Sequence, residues 1–241
     1  MRTPSKKPVK KAPSAKSSAQ PSLFDTKTFI NEYISCLFLF LTFPTPLLGN
    51  SWVSQWAIQL LTVVLNNQLF GSFLSPAIVA GVYMTGGVTK RFAVATLAAH
   101  ALVAVTVYPL YAATYPPSLV FGPHCTADLS TCFLYETACT FTLTILCSLP
   151  MLVNTTTRFG SVMKSVWIGL SVRAMMEACM HVTGASMNVL IALSWFLFNG
   201  ELFSAEAAMY YASATSGGVL GVVVFGWGVG WWKGKGKEKV A

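Results

Sequence analysis

Charged residues are scarce in this sequence. They make up 10% of the 241 positions, and Asp and Glu together number eight, whereas a soluble domain carries about 25% charged residues. The stretch 92–123 contains no Asp, Glu, Lys or Arg. Hydrophobic residues make up 54% of the chain, and its mean hydropathy is +0.59. This composition excludes an ordinary soluble domain and predicts a polytopic protein of the lipid bilayer, with no nucleic acid partner.

Motifs for metal binding and catalysis are also missing. The six cysteines form no Cys-x-x-Cys pair, and no His–Glu–His metal spacing occurs. We therefore predict no enzyme activity, no cofactor and no metal site. Cys125 and Cys132 flank a polar loop, and they either pair or stay reduced. The other cysteines lie in apolar segments and are predicted to be free: Cys36, Cys139, Cys147 and Cys179.

The apolar residues form six long segments and two short ones. Each long segment can cross a hydrocarbon core of ~30 Å at 1.5 Å per helical residue. The short segments, 76–84 and 189–198, have about half the length that a span needs. The long segments cover about residues 29–49, 52–70, 92–112, 131–152, 165–181 and 207–231.

The basic residues concentrate at the two ends and in alternate loops. Residues 1–26 are rich in Lys, Pro and Ser and predict a disordered tail, and residues 233–241 predict a second, Lys-rich tail. If the domain between them, 27–232, crosses the membrane six times, 15 of the 16 basic residues fall on one side. The exception is Arg173. The positive-inside rule then predicts that both tails are cytoplasmic.

Two stretches just before the short apolar segments repeat each other. "GSFLSPAI" covers 71–78 and "GASMNVLI" covers 184–191. Ser75 and Asn188 are of the types that cap helix N-termini, and Pro76 stands at the favoured first helical position. We predict that each stretch is a loop that enters the membrane and continues as a half-length helix. Non-helical backbone at that depth must be buried in protein or line a cavity.

The surrounding segments repeat as well. Glu32 begins the first long segment of one half, and Glu136 begins that of the other. Three spans and one half-helix in each copy turn the second copy upside down relative to the first. The predicted fold class is an all-α membrane protein with six transmembrane helices and two re-entrant half-helices in an inverted repeat.

These motifs resemble those of the aquaporins, or major intrinsic proteins. The family pattern Ser-Gly-x-x-x-Asn-Pro-Ala appears here as "FGSFLSPAIVAG" and "VTGASMNVLIAL". The resemblance also includes "YETACTFTL", "IGLSV" and "SATSGGVLG", and covers about residues 29–231. The chain departs from the family in having Ser-Pro-Ala and Asn-Val-Leu in place of the two Asn-Pro-Ala motifs. The resemblance implies a homotetrameric passive channel for water or small uncharged solutes such as glycerol, ammonia or hydrogen peroxide.

The resemblance further implies roles for particular residues. Glu32 and Glu136 would accept hydrogen bonds from loop backbone. Ile191 replaces an arginine of the family's selectivity filter, so an apolar constriction is expected, and the bulk of Leu190 would narrow the pore centre. The implied pore-centre residues are Ser75, Pro76, Ala77, Asn188, Val189 and Leu190. The implied filter residues are Gln55 or Trp56, Met176, Ala185 and Ile191.

Ionisable groups inside the predicted spans leave alternatives open. Arg173 and Glu177 are four residues apart in the fifth span and can pair. They form an internal ion pair, or Arg173 reaches the pore and supplies the charge that the filter lacks. His100 and His181 are expected to be hydrogen-bonded structural residues.

Function and location each have a rival interpretation. The altered motifs also suit a poorly conducting protein with a structural or tethering role. Near the carboxyl end, Lys237 and Lys239 form a Lys-x-Lys-x-x arrangement that resembles a retrieval signal for the endoplasmic reticulum. A Lys-rich tail can instead be a topological anchor, which leaves the plasma membrane as the alternative location.

Overall fold

The computed structural model describes residues 24–42, 52–115, 122–153 and 157–238, with backbone alone at Thr42, Trp52, Gln55, Met151 and 231–238. Nearly all of the predicted tail 1–26 lies outside these ranges, as does the end of the predicted tail 233–241.

All regular structure in the described residues is helical. A 3-10 turn, Leu149–Leu152, extends the fifth helix. The helices long and apolar enough to cross a membrane are Lys90–Thr114, Leu129–Ser148 and Ala205–Gly230. In chain order the α-helices are α1 Thr26–Thr42, α2 Trp52–Leu69, α3 Pro76–Met84, α4 Lys90–Thr114, α5 Leu129–Ser148, α6 Arg158–Thr183, α7 Val189–Phe198 and α8 Ala205–Glu238.

The short helices α3 and α7 have the bounds predicted for the half-length segments. Ser75 directly precedes α3 and Asn188 directly precedes α7, and both have extended backbone, with φ of −142° and −151°. Extended backbone is typical of a residue at the N-cap. Pro76 favours the start of α3, because its fixed φ suits a helix and its missing N–H is not needed in the first turn.

The helices pack in two equivalent sets. In the first half α1 lies against α2 and α4, and in the second half α5 lies against α6 and α8. Across the halves, α2 contacts α6 and α3 contacts α7. The helix α3 packs on α8, and α7 packs on α4, so each short helix is held by the last helix of the other half. The two copies of the sequence repeat therefore have equivalent surroundings.

Glycines allow α5 and α8 to approach closely. A Cβ atom on Gly217 would lie 2.5 Å from the carbonyl oxygen of Thr137, and one on Gly221 would lie 2.7 Å from the Cβ of Thr144. Separations this short leave no room for a side chain. Such packing is typical of helix pairs in membranes, where van der Waals contact replaces the hydrophobic driving force.

A disulfide and a helix cap hold the segment before α5. Cys125 and Cys132 are bonded, so the first of the two alternatives for this pair is correct. Asp128 caps α5 by accepting a hydrogen bond from the backbone N of Thr131 at 2.9 Å. The hydroxyls of Ser130 and Thr131, together with that N–H, hold the pKa of Asp128 well below its usual range.

A second disulfide contradicts the prediction that Cys139 and Cys179 are free. These residues lie on α5 and α6, which pack side by side and bring the two Cα atoms to 6.7 Å. That distance is within the range that a disulfide bridges. The pairing depends on how two helices meet, which the spacing of cysteines along the chain does not reveal. Cys36 and Cys147 are free, as predicted.

Candidate functional site

The loops that lead into α3 and α7 have left-handed residues at two corresponding positions, and the second loop has a further one at Ala185. Gly71 and Gly184 have φ of 63° and 65°, and three residues later Leu74 and Met187 have φ of 59° and 43°. Glycine adopts these values freely, whereas other residues do so at a cost of about 1–3 kcal/mol each. Backbone of this kind persists only where surrounding contacts hold it. In each loop those contacts come from a buried carboxylate.

Glu32 on α1 holds the first loop. Its Oε1 accepts a hydrogen bond from the backbone N of Leu74 at 2.8 Å, and its Oε2 accepts one from the backbone N of Phe73 at 3.2 Å. The Nε2 atom of His100 on α4 lies 2.9 Å from Oε1. Both the Glu32 and the His100 side chains are buried. The carboxylate therefore provides the acceptors that two loop N–H groups require at this depth.

Glu136 on α5 has the same position relative to the second loop. Its Oε1 accepts a hydrogen bond from the backbone N of Met187, and its Oε2 accepts one from the Thr183 hydroxyl at 2.6 Å. That hydroxyl also accepts a hydrogen bond from the backbone N of Ala185 at 3.3 Å. Glu136 is fully buried. In both halves a carboxylate thus binds the left-handed residue that directly precedes the N-cap of the short helix.

The surroundings of Glu32 also contain the donor types of a metal site. Ligand atoms of Glu32, Cys36 and His100 lie within 4.8 Å of one another, and all three residues are buried. The Glu32 carboxylate, however, already accepts bonds from two loop N–H groups and contacts His100. These contacts account for the cluster as a support for the loop, and we assign no metal to it.

The two N-cap residues differ in what their side chains bind. The Oδ1 atom of Asn188 accepts a hydrogen bond from the backbone N of Leu190 at 3.0 Å, and its Nδ2 donates to the carbonyl oxygen of Leu74 at 2.7 Å. Asn188 therefore caps α7 and ties the second loop to the first. Ser75 makes no side-chain capping bond, contrary to prediction. Its hydroxyl is shorter and lines a cavity, where it can be hydrated instead of returning to the helix.

A cavity of about 890 Å³ reaches both loops. Its wall includes Ser75, Asn188 and a stripe of α6 that runs from Ser161 to Met180. At 1.5 Å per residue this stripe is about 29 Å long, close to the ~30 Å of a hydrocarbon core. Apolar side chains provide most of the wall. The predicted filter residues that line it are Met176, Ala185 and Ile191.

On α2 the cavity meets a residue that sequence analysis missed. Gln59 lines the wall, whereas Trp56 is not among the described residues that do so. The Trp56 ring instead lies 5.5 Å from the guanidinium carbon of Arg173. The side chain of Gln55, the other candidate, is outside the described part of the chain. The signal that could have identified Gln59 in the sequence is a glutamine within an apolar segment, one helical turn after Gln55.

Four residues of the two motifs are not among the described residues that line the cavity. Leu190 is 1% exposed and packs in a cluster with Val103 and Val107 of α4. The second residue of α7 thus packs against α4, and the expected narrowing of the pore centre by Leu190 stays a prediction. The other three are Pro76, Ala77 and Val189.

Arg173 pairs with Glu177 and also lines the cavity. Its Nη1 donates to Oε1 of Gln59 at 2.7 Å, and its Nη2 pairs with the carboxylate of Glu177. Arg173 is also part of the cavity wall, and the residue is 5% exposed. The guanidinium thus links α6 to α2 through Gln59, which is itself a polar side chain of the cavity wall.

Comparison with solved structures provides a counterpart for this architecture. The chain is similar to the X-ray structure of an aquaglyceroporin from Plasmodium falciparum, with a TM-score of 0.58 and 17% sequence identity. The similarity covers 83% of this chain and 93% of that one. No protein-family model and no curated protein matches the chain. The protein therefore has an aquaporin-like fold, helical throughout the described residues, with the two loops before α3 and α7 meeting at its cavity.

Proposed function

We propose that this protein is a passive transmembrane channel for water or small uncharged solutes. The observation that carries the proposal is the cavity, whose α6 wall extends over about the thickness of a hydrocarbon core. Both loops that lead into the short helices reach this cavity. Three helices that contribute to its wall, α4, α5 and α8 as far as Gly230, are long and apolar enough to cross a membrane.

Asn188 and Ser75 would bind the passing solute. An amide nitrogen carries two hydrogens, and Asn188 gives one to the Leu74 carbonyl. The second can be donated to an oxygen in the cavity. The Ser75 hydroxyl, which makes no cap, can donate or accept there. Brief exchange of hydrogen bonds at these two groups compensates a solute for part of its lost hydration.

The constriction would be formed by Met176, Ala185 and Ile191. All three line the cavity and none carries a charge. An apolar constriction costs a polar solute more hydration than a solute with some apolar surface, so it favours the latter. Glycerol, ammonia and hydrogen peroxide belong to the solute class that we propose. The fold's similarity to an aquaglyceroporin supports the same class.

The test is permeability of liposomes that contain the purified protein. Water flux is measured by light scattering after an osmotic step, and glycerol, ammonia and peroxide uptake are measured separately. We expect at least one of these fluxes to exceed that of empty liposomes prepared in the same way. Equal permeability to every solute would reject the channel and favour the alternative, a structural or tethering membrane protein with an aquaporin-like fold.

The remaining features of the proposal concern the arrangement in the membrane. We propose six spans with α3 and α7 as re-entrant half-helices, both tails in the cytoplasm, and assembly as a homotetramer. Orientation rests on the distribution of basic residues. Crosslinking in native membranes would report the subunit number.

The proposed location is an intracellular membrane, the endoplasmic reticulum in particular. It rests on the lysine pattern of residues 237–241. A Lys237→Ser, Lys239→Ser variant should leave that compartment in imaging of cells, whereas the matched Lys233→Ser, Lys235→Ser variant should stay. Identical distributions of the two variants would remove the pattern as the address.

A further inference from the structure

The charged side chains on the cavity wall are of one sign. Among the described residues that line the cavity, the charged ones are Lys164 and Arg173, and no carboxylate is included. The two differ in depth: Lys164 lies near the start of α6, and Arg173 lies nine residues, or about 14 Å, further along the helix. Lys164 is also less buried than Arg173. The deep part of the cavity therefore contains one buried cation.

Arg173 is held firmly in this position. Gln59 accepts from its Nη1 at 2.7 Å, Glu177 binds its Nη2, and the ring of Trp56 lies 5.5 Å from its guanidinium carbon. Its Nε is buried and has no hydrogen-bond partner among the described residues. A buried N–H without an acceptor is costly, so an oxygen in the cavity is the natural partner for it.

The counterion of Arg173 lies on a different side. The Glu177 side chain is 38% exposed, compared with 6% for Arg173. Glu177 is also not among the described residues that line the cavity. The pair is therefore asymmetric: the positive group is part of the wall, and the negative group is not. An ion in the cavity meets the guanidinium at shorter range than it meets the carboxylate.

We propose that Arg173 is the specificity-determining charge of the conduit, and that it excludes cations while binding the hydrogen-bond-accepting oxygen of a neutral solute. This inference rests on the proposed channel function. The position that holds an arginine in the aquaporin pattern is Ile191 here, on α7. In this protein the fixed charge is supplied by α6, and Gln59 of α2 positions it.

The test compares cation leak with water flux in the same liposomes. Potassium and proton leak are measured with dyes under an imposed potential, and water flux is measured by light scattering. The variants are R173Q/E177Q, which removes both charges without leaving an unpaired carboxylate, and R173M/E177M, which fills the site with apolar side chains of similar length. The matched control is K164Q, which removes the other cation of the wall.

We expect the ratio of cation permeability to water permeability to rise about tenfold in R173Q/E177Q, which corresponds to about 1.4 kcal/mol. K164Q should change the ratio by less than about twofold, because Lys164 is less buried than Arg173 and solvent screens its charge more. R173M/E177M should also raise the ratio of cation permeability to water permeability. It replaces R173Q/E177Q if the polar substitutions prevent folding.

Three results would overturn the inference. One is a ratio in the double variants that equals that of the wild type while water flux persists. Another is an equal effect of K164Q. The third needs no variant: wild-type protein that passes potassium as readily as water would show that nothing in the conduit excludes cations. Failure of the channel proposal is a separate result, since wild-type liposomes would then match empty ones for every solute.

Discussion

Buried carboxylates at matching positions of the two halves bind Leu74 and Met187, two non-glycine residues with left-handed backbone. Glu136→Leu should lower the free energy of unfolding by about 1–3 kcal/mol, because the Met187 N–H and the Thr183 hydroxyl lose a buried acceptor. Thermal unfolding in detergent measures the change. Glu201→Leu is the control, since Glu201 is exposed. Equal melting temperatures for the two variants would mean that Glu136 does not support the loop.

The two N-cap residues should respond differently to the same truncation. Asn188→Ala removes the cap on Leu190 N and the link to the Leu74 carbonyl, and should cost about 1 kcal/mol or more. Ser75→Ala removes no capping bond and should change stability by less than about 0.5 kcal/mol. Thermal unfolding of both variants, side by side, checks this asymmetry. A larger loss for Ser75→Ala would contradict it.

Among elements, the contact of α5 with α8 depends most directly on the absence of side chains. Gly217→Leu would place a Cβ 2.5 Å from the Thr137 carbonyl oxygen, and backbone cannot move aside as a flexible side chain can. We expect loss of monodisperse protein on size-exclusion chromatography. Gly228→Leu, on the same helix, is the control, because nothing lies within 4 Å of that Cβ position. A normal elution profile for Gly217→Leu would show that the helices can separate without loss of the fold.

At the scale of the whole molecule, Ile191 tests which wall residues control the solute. Ile191→Arg adds a donor and a charge to the cavity wall and should lower the ratio of glycerol to water flux by about tenfold, or about 1.4 kcal/mol. Ile191→Leu is the apolar control and should leave the ratio near that of the wild type. The readout is uptake into liposomes for both solutes. An unchanged ratio in Ile191→Arg would take Ile191 out of the constriction.

Local chemistry in the sequence was sufficient to predict the short helices and their place in a repeat. Pro76 and Asn188 act on the backbone next to them, so their effect can be read without knowing the tertiary structure, whereas the predicted cap by Ser75 does not form. Glu32 and Glu136 could be singled out because an ionisable residue in an apolar segment requires a partner. The roles of the pore-centre and filter residues in transport stay predictions.

The tertiary structure decided the features that depend on which helices face each other. It joined Cys139 to Cys179, turned Leu190 toward α4, and brought Gln59 to the cavity beside Arg173. Each pairing links residues far apart in the chain, and its geometry follows from helix rotation and crossing. The sequence by itself determined an apolar, repeated, all-helical protein, because composition and caps act locally. Which side chains share the cavity was left to packing, because a helix presents a different set of residues with each rotation about its axis.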